Sequence, residues 1–329
     1  LSPPRTYSGT DARLAAPNAP LGAEIEADAA SQAAAGVRRL NLAQRLVRHR
    51  SVIFGGIIMI FMLLVAALAP YLGTIDPIYI DPTNRNKTPG FETVVLDDAN
   101  QEIQRTYWMG TDALGRDIYS RVVYGTRTSL VVGLVVAALS IVVGLAIGLL
   151  AGYVRWLDGI IMRVMDGLMA IPGILLAIGL VSLSGATIMT VIVAIMVPEI
   201  PRVVRLVRSI VLTIREEPYV EAAVSIGTPL FKLLGRHVLP NTMAPMIVQG
   251  TYVCASAILV EAILSFLGAG ISPETPTWGN IMAEGRVFFR VFPHNILFPG
   301  IFLAVTVLAV NVLGDGLRDT LDPRLAKRI

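Results

Sequence analysis

The sequence predicts an all-α membrane protein of six transmembrane helices, with a long external loop after the first span and a polar cytoplasmic loop between the fourth and fifth. Three observations predict it. Hydrophobic residues make up 54% of the 329 residues and charged residues only 16%, with a mean hydropathy of +0.66, too apolar and charge-poor for an ordinary soluble domain. The apolar residues fall in runs long enough to cross ~30 Å of hydrocarbon at ~1.5 Å per residue. The basic residues bunch between those runs, so the net charge of +3 carries topology and is no nucleic-acid signature.

Residues 1–36 are rich in Ala, Pro, Ser and Gly with scattered acids, and are expected to form a disordered cytoplasmic tail. The basic juxtamembrane segment 37–50 carries Arg38, Arg39, Arg45, Arg48 and Arg50, which marks this flank as cytoplasmic. A helix lying on the membrane surface suits it, with the charge either fixing orientation or touching anionic lipid or another protein. The first span covers 51–73, with Pro70 near its far end. The external loop 74–125 is polar and turn-rich, long enough for a strand or two, and expected to end in an amphipathic segment along the outer surface. There Asp112, Arg116, Asp117 and Arg121 fall at helical spacing for mutual pairing, serving either anchorage or contact with an external ligand.

Residues 126–329 are expected to form the core domain with the other five spans. The second span, from about 128 to 151, places Ser140, Gly144, Gly148 and Gly152 on one helical stripe, suited to close packing within the chain or against another copy. After a short turn at Arg155 and Asp158, the third starts near Gly159. Arg163 and Asp166 are expected to neutralise one another there, and Ile171-Pro172-Gly173 to kink the helix. The fourth begins near Thr187, passes Pro198-Glu199-Ile200-Pro201 and emerges as Arg202, Arg205, Arg208 and Arg215, where snorkelling or interdomain pairing explains the arginines better than voltage sensing. The fifth, from about 243 to 268, buries Glu261 at membrane depth. That carboxyl is expected either to bond a neighbouring helix or to stand at a translocation interface between subunits. Pro273, Pro276 and Trp278 suit a stiff external loop, and the sixth span, about 295–313, is expected to stop at Gly314-Asp315-Gly316. Arg324, Lys327 and Arg328 then put the C-terminus in the cytoplasm, as an even number of spans requires.

Between the fourth and fifth spans, Glu216, Glu217 and Pro218 read as a helix start, Gly227 as its stop, and Thr228-Pro229 as the start of a second helix. Residues 216–240 are therefore a helix, a sharp turn and a helix on the cytoplasmic side. Glu221-Ala222-Ala223, three residues, Gly227, nine residues, His237, one residue and Leu239-Pro240 resemble the EAA motif of ABC importer permeases, departing only in His237 where an aliphatic residue is usual. A second stretch, Gly110-Thr111-Asp112 followed by Leu114-Gly115-Arg116-Asp117 and Ser120-Arg121, is similar to the C-type permease subunit of dipeptide, oligopeptide and nickel importers, where His usually stands at the position of Tyr107. Ser265 to Gly270 and the ending from Gly314 to Arg324 resemble the same branch.

The resemblance implies that Glu221, Ala222, Ala223, Gly227, Leu239 and Pro240 couple the chain to ATPases. It also implies a second homologous permease, two ABC ATPase subunits carrying ATP and Mg, and an extracytoplasmic binding protein delivering a peptide or related solute, in a bacterial or archaeal inner membrane. No G-x-x-x-x-G-K-S/T occurs, so ATP hydrolysis is expected of partners and not of this chain. The single cysteine, Cys254, excludes an intrachain disulfide, and the three scattered histidines give no metal spacing, so no cofactor or metal is expected here. A secondary transporter would instead show an inverted repeat, and an intramembrane enzyme facing catalytic groups within the spans.

Overall fold

The structure, a computed structural model, describes residues 42–96 and 102–321. The tail at 1–36, Arg38, Arg39 and the basic residues after 321 lie outside the described residues. A short helix, α1 (Leu42–Leu46), precedes α2 (Arg50–Leu68), whose uniformly apolar sequence and adjoining single turn at Ala69–Tyr71 make the first candidate span. The segment after the first candidate span then folds into a hairpin, β1 (Phe91–Leu96) against β2 (Glu102–Tyr107), with Phe91 opposite Tyr107.

Where the spacing of Asp112, Arg116 and Asp117 suggested helical pairing, the described residues form no helix before Ile118. Residues 111–117 form a tight turn closed by Asp112 N–H to Arg116 O and a bridge between Thr111 and Asp117, and Gly115 takes φ +82° because a side chain there would strike the Asp81 carbonyl. The helix that follows, α3 (Ile118–Tyr153), starts about ten residues earlier than the apolar run suggested. Its first turn is polar but capped, since the Asp117 carboxylate accepts the N–H groups of Tyr119 at 3.3 Å and Ser120 at 3.0 Å.

Only Val154 separates α3 from α4 (Arg155–Ala170), so the expected turn at Arg155 and Asp158 is already helix. Pro172 lacks a backbone donor, and the chain bends by 87° between α4 and α5 (Gly173–Ser184), a break sharper than a kink. Thr187 then caps α6 (Ile188–Ile214) through a reciprocal bond with Thr190. The polar loop holds α7 (Pro218–Ser225) and a single turn, α8 (Leu230–Leu233), which widens into a π-helical turn at Leu234–Val238 and runs into α9 (Leu239–Phe266). A short helix, α10 (Trp278–Gly285), precedes α11 (His294–Leu321).

The core lies where α3 packs along α6, with α9 against α3 and α11, and α2 against α11. The small-residue stripe faces inward. A Cβ placed on Gly144, Gly148 or Gly152 would lie 2.5, 2.6 and 2.6 Å from the Cβ of Val203, Val207 and Val211, so these glycines serve packing of α3 on α6 within the chain. α11 does not stop at Gly314. It continues to Leu321 because Gly314 packs on Thr251 and Gly316 on Val52 and Ser51, contacts that offset the poor helix propensity of glycine.

Among the described residues, α2 with its adjoining turn, α3, the segment Leu230–Phe266 and α11 are long and apolar enough to cross a membrane, and the bent pair α4–α5 is a fifth candidate. α6 fails that test of composition, for it carries Glu199, Arg202, Arg205 and Arg208.

Candidate functional site

The 216–240 segment is built by local rules. Glu217 precedes Pro218 at the first helical position, where a missing N–H costs nothing. The helix ends as Ile226 N–H bonds Ala222 O at 3.2 Å and Thr228 N–H bonds Ala223 O at 3.1 Å, and Gly227 occupies φ +78°. That left-handed conformation is cheap only for glycine. Pro229, and not Thr228, stands at the cap of the following turn.

Burial divides the six motif residues. Ala223 is buried beside Val220, Leu233, Leu234 and Val238, which fasten the segment to the core, and Leu239 is half-buried. Glu221, Ala222, Gly227 and Pro240 face outward. Sequence reasoning missed the apolar side chains exposed around them: Tyr219 and Val224 are half exposed, and Ile226 and Phe231 are each 84% exposed. The signal was present in the alternation of Val220 and Ala223 with Tyr219, Val224 and Ile226 around one short helix.

Glu261 lies elsewhere, fully enclosed on α9. Ser265 Oγ donates to its Oε1 at 2.8 Å, while its Oε2 has no partner among the described residues. Ser129 of α3 and Thr277 before α10 face the same carboxyl. It therefore lines no outward surface of this chain in this conformation.

The charged residues of the external stretch do pair, but through a fourth member that the spacing could not reveal. Asp112 Oδ2 accepts from Arg116 Nε and Arg121 Nη1, each at 2.7 Å. Glu284 of α10 accepts from Arg121 Nη1 at 2.6 Å and also from Arg116. Asp112, Arg116 and Arg121 are buried, so the cluster fastens the external loop and the start of α3 to α10. Asp117 stays out of it; burial raises its carboxyl above the usual range, against the bonds it accepts from Ser120 and Tyr119.

The arginines of α6 pair within the chain: Arg205 with Asp166 at 2.6 Å, Arg208 with Asp158, and Arg202 with Glu199 at 3.1 Å. Asp166 is thus neutralised by Arg205 across the α4–α6 contact, and not by Arg163 as its spacing suggested.

Residues 140–327, more than half of the chain, match the family described as the binding-protein-dependent transport system inner membrane component. The chain belongs to that permease family. Residues 41–89 of the permease also match the N-terminal transmembrane domain of oligopeptide transport permease C. The permease is 51% identical to a probable peptide ABC transporter permease of Sinorhizobium fredii, over 85% of this chain and 91% of the relative. It is 38% identical to the dipeptide transport system permease DppC of Alkalihalophilus pseudofirmus, over 86% and 88%. The glutathione transport system permease GsiD of Pectobacterium atrosepticum is likewise 38% identical, over 86% and 90%. Family membership decides among the three readings of the sequence: the chain is the permease of an ABC importer, an inner-membrane component with several apolar helices.

Proposed function

We propose that α7 and the Gly227 turn are the element through which ATPase subunits drive this permease, and that its cargo is a peptide or a related small solute. One observation carries the coupling assignment: Ile226 and Phe231, each 84% exposed, stand on either side of the Gly227 turn that follows the outward Glu221 and Ala222, on a firmly packed base. A soluble surface rarely leaves large apolar side chains grouped at the tip of a short helix without a partner to cover them. Burying them in a cleft of an ATPase, with Glu221 at the rim, gives that partner a rigid handle. Peptide cargo is supported by the peptide, dipeptide and glutathione systems named for the relatives.

In this reading α6 is the fourth of six spans, the termini and the 216–240 segment face the cytoplasm, and β1, β2 and α10 face outward. The assembly comprises a second, homologous permease, two ABC ATPases that hold ATP and Mg, and an extracytoplasmic binding protein. The permease holds no cofactor and hydrolyses nothing; movement of α7 biases the spans between inward-open and outward-open states. Glu261 enters the pathway only if the spans separate in one of those states, and a well-expressed Glu261→Gln variant with unchanged transport would remove it from the mechanism.

The test is uptake and ATP hydrolysis measured together in the assembled transporter. Glu221→Arg and Gly227→Pro are expected to insert normally yet lose peptide uptake while ATP hydrolysis persists, since proline cannot adopt the positive φ of residue 227. Normal uptake by both variants would refute the coupling assignment.

A further inference from the structure

Arg202 is the one arginine of α6 whose pairing leaves most of its charge in the open. Glu199 is buried, 6% exposed, and accepts from Arg202 Nη1 at 3.1 and 3.2 Å and from Ser256 Oγ of α9 at 3.0 Å. Yet the Arg202 side chain is 59% exposed, and its Nε and Nη2 have no partner among the described residues. The guanidinium is thus oriented by its acid without being covered by it.

Depth makes that exposure informative. At ~1.5 Å per residue, Glu199 is about 17 Å and Arg202 about 21 Å along α6 from its outer end at Ile188. Ser256, counted back from the outer end of α9 at Phe266, is about 15 Å deep by the same rise. The two helices place the cluster independently near the middle of a hydrocarbon layer ~30 Å thick. An arginine there, more than half open, cannot face lipid without a cost of several kcal/mol; it faces water or another protein.

The surroundings favour water and a solute. Directly toward the cytoplasm, one helical turn from Arg202 and one from Ser256, Leu206 and Tyr252 begin a groove of about 620 Å³ walled by α9 and α11, with Leu206 of α6 at its edge. Its wall includes Val248, Gln249 and Arg318, an apolar lining with a few polar groups of the kind that holds small molecules. Tyr252 is itself held by Asp315 at 2.5 Å, so the wall is ordered from α11 as well.

We propose that the groove walled by α9 and α11 and edged by Leu206 is this chain's side of the solute path and that Arg202, one turn beyond its end and positioned by Glu199 and Ser256, binds a carboxylate of the passing cargo. The assignment rests on the reading of the chain as a peptide permease whose α6 spans the membrane. Peptides carry a free carboxylate, and the open Nε and Nη2 edge of the guanidinium matches a carboxylate with two parallel bonds. Nη1 stays with Glu199, which keeps the fork aimed between cargoes.

The test uses the assembled transporter, with both permeases, its ATPases and its binding protein, reconstituted in vesicles and supplied with a casein-hydrolysate peptide mixture. Import is read by mass spectrometry. Arg202→Gln is expected to cut peptide import about tenfold, the loss of one charge-assisted contact, and Arg202→Lys to recover part of it. Because Arg202→Gln strands the buried Glu199, the Glu199→Gln/Arg202→Gln pair is made as well; it should assemble normally and import as poorly. Arg205→Gln, one turn away in a surface pair, should import like the wild type.

Independently, Arg202→Cys in a Cys254→Ser background should react with a charged, water-borne methanethiosulfonate, and the peptide mixture under turnover should slow that reaction. A transporting complex in which this cysteine does not react would overturn the proposal, because Arg202 would then face lipid or an acid of the second permease. Full import by Arg202→Gln, or restored import by the double variant, would overturn it equally. Absence of peptide import by the wild-type complex is a different result: it overturns the peptide reading, and the cargo assigned to Arg202 with it.

Discussion

Adding one methyl group at Gly148 should separate two helices. In α3 the nearest atoms to a Cβ at this position would be Val207 Cβ at 2.6 Å, Val207 Cγ1 at 2.9 Å and the Val204 carbonyl at 3.0 Å. Carbon atoms prefer ~3.5–4.0 Å, so α6 must retreat by about 1 Å or the valine must leave its rotamer. Retreat is resisted at the turns above and below, where Gly144 meets Val203 and Gly152 meets Val211 with the same closeness. Alanine returns ~1 kcal/mol of helix propensity relative to glycine, while overpacking of this kind costs ~1–3 kcal/mol. Loss of contact along the extensive α3–α6 interface puts the overpacking cost in the upper part of that range, so after the propensity gain Gly148→Ala should be destabilising by about 1–2 kcal/mol.

The assay is thermal inactivation of the detergent-solubilised complex, followed by size-exclusion chromatography, in a double-mutant cycle with Val207→Ala. Val207→Ala alone leaves a cavity beside Gly148, and the pair should be more stable than the two single effects added. Gly56→Ala in α2, where no atom lies within 4 Å of the new Cβ, serves as control and should be neutral or stabilising. A Gly148→Ala protein as stable as the wild type, or strict additivity with Val207→Ala, would refute the packing argument.

Breaking the external ion cluster should cost more. Arg121 is 1% exposed and shared between Asp112 and Glu284, so Arg121→Met should lower stability by ~3 kcal/mol by leaving two carboxylates to share Arg116 alone, read as a fall in melting temperature of the complex. At the loop start, burial pushes the Asp81 carboxyl up, but bonds from Thr83 and Asn84 outweigh it and hold the group below its ordinary value. Its contribution is therefore complete above the unfolded value of ~3.9 and is lost as pH falls through the lower folded value, which hydrogen exchange at Thr83 and Asn84 as a function of pH should follow; Asp81→Asn should remove that step.

Much of this fold was legible because membrane spans and caps are local. The apolar runs located α2, α3, α9 and α11, Pro172 marked the break between α4 and α5, and Gly227 marked the end of α7, each by a property of a few adjacent residues. Pairing across helices was not legible. Asp166 could be matched with Arg163 by spacing, but Arg205 reaches it from 39 positions away, and Glu284 joins Arg121 from 163 away. The same blindness extended α11: glycines that read as a stop in isolation are the sites where Val52 and Thr251 approach the helix.

The arginines of α6 show how one sequence signal can hold two meanings. At a spacing of three, Arg202, Arg205 and Arg208 look like equivalent rungs at a cytoplasmic exit. Their partners separate them: Arg205 and Arg208 bind aspartates of α4, while Arg202 binds an acid of its own helix and, through it, a serine of α9. A charge that snorkels has no need of a buried counterion about halfway along an apolar path. Glu199 is buried, and burying a carboxylate is costly unless its partners are fixed, so the cost is borne where it orients a cation that something else must meet. In the proposed six-span reading, the charges that keep α6 from qualifying as an apolar span are the ones that the cargo meets.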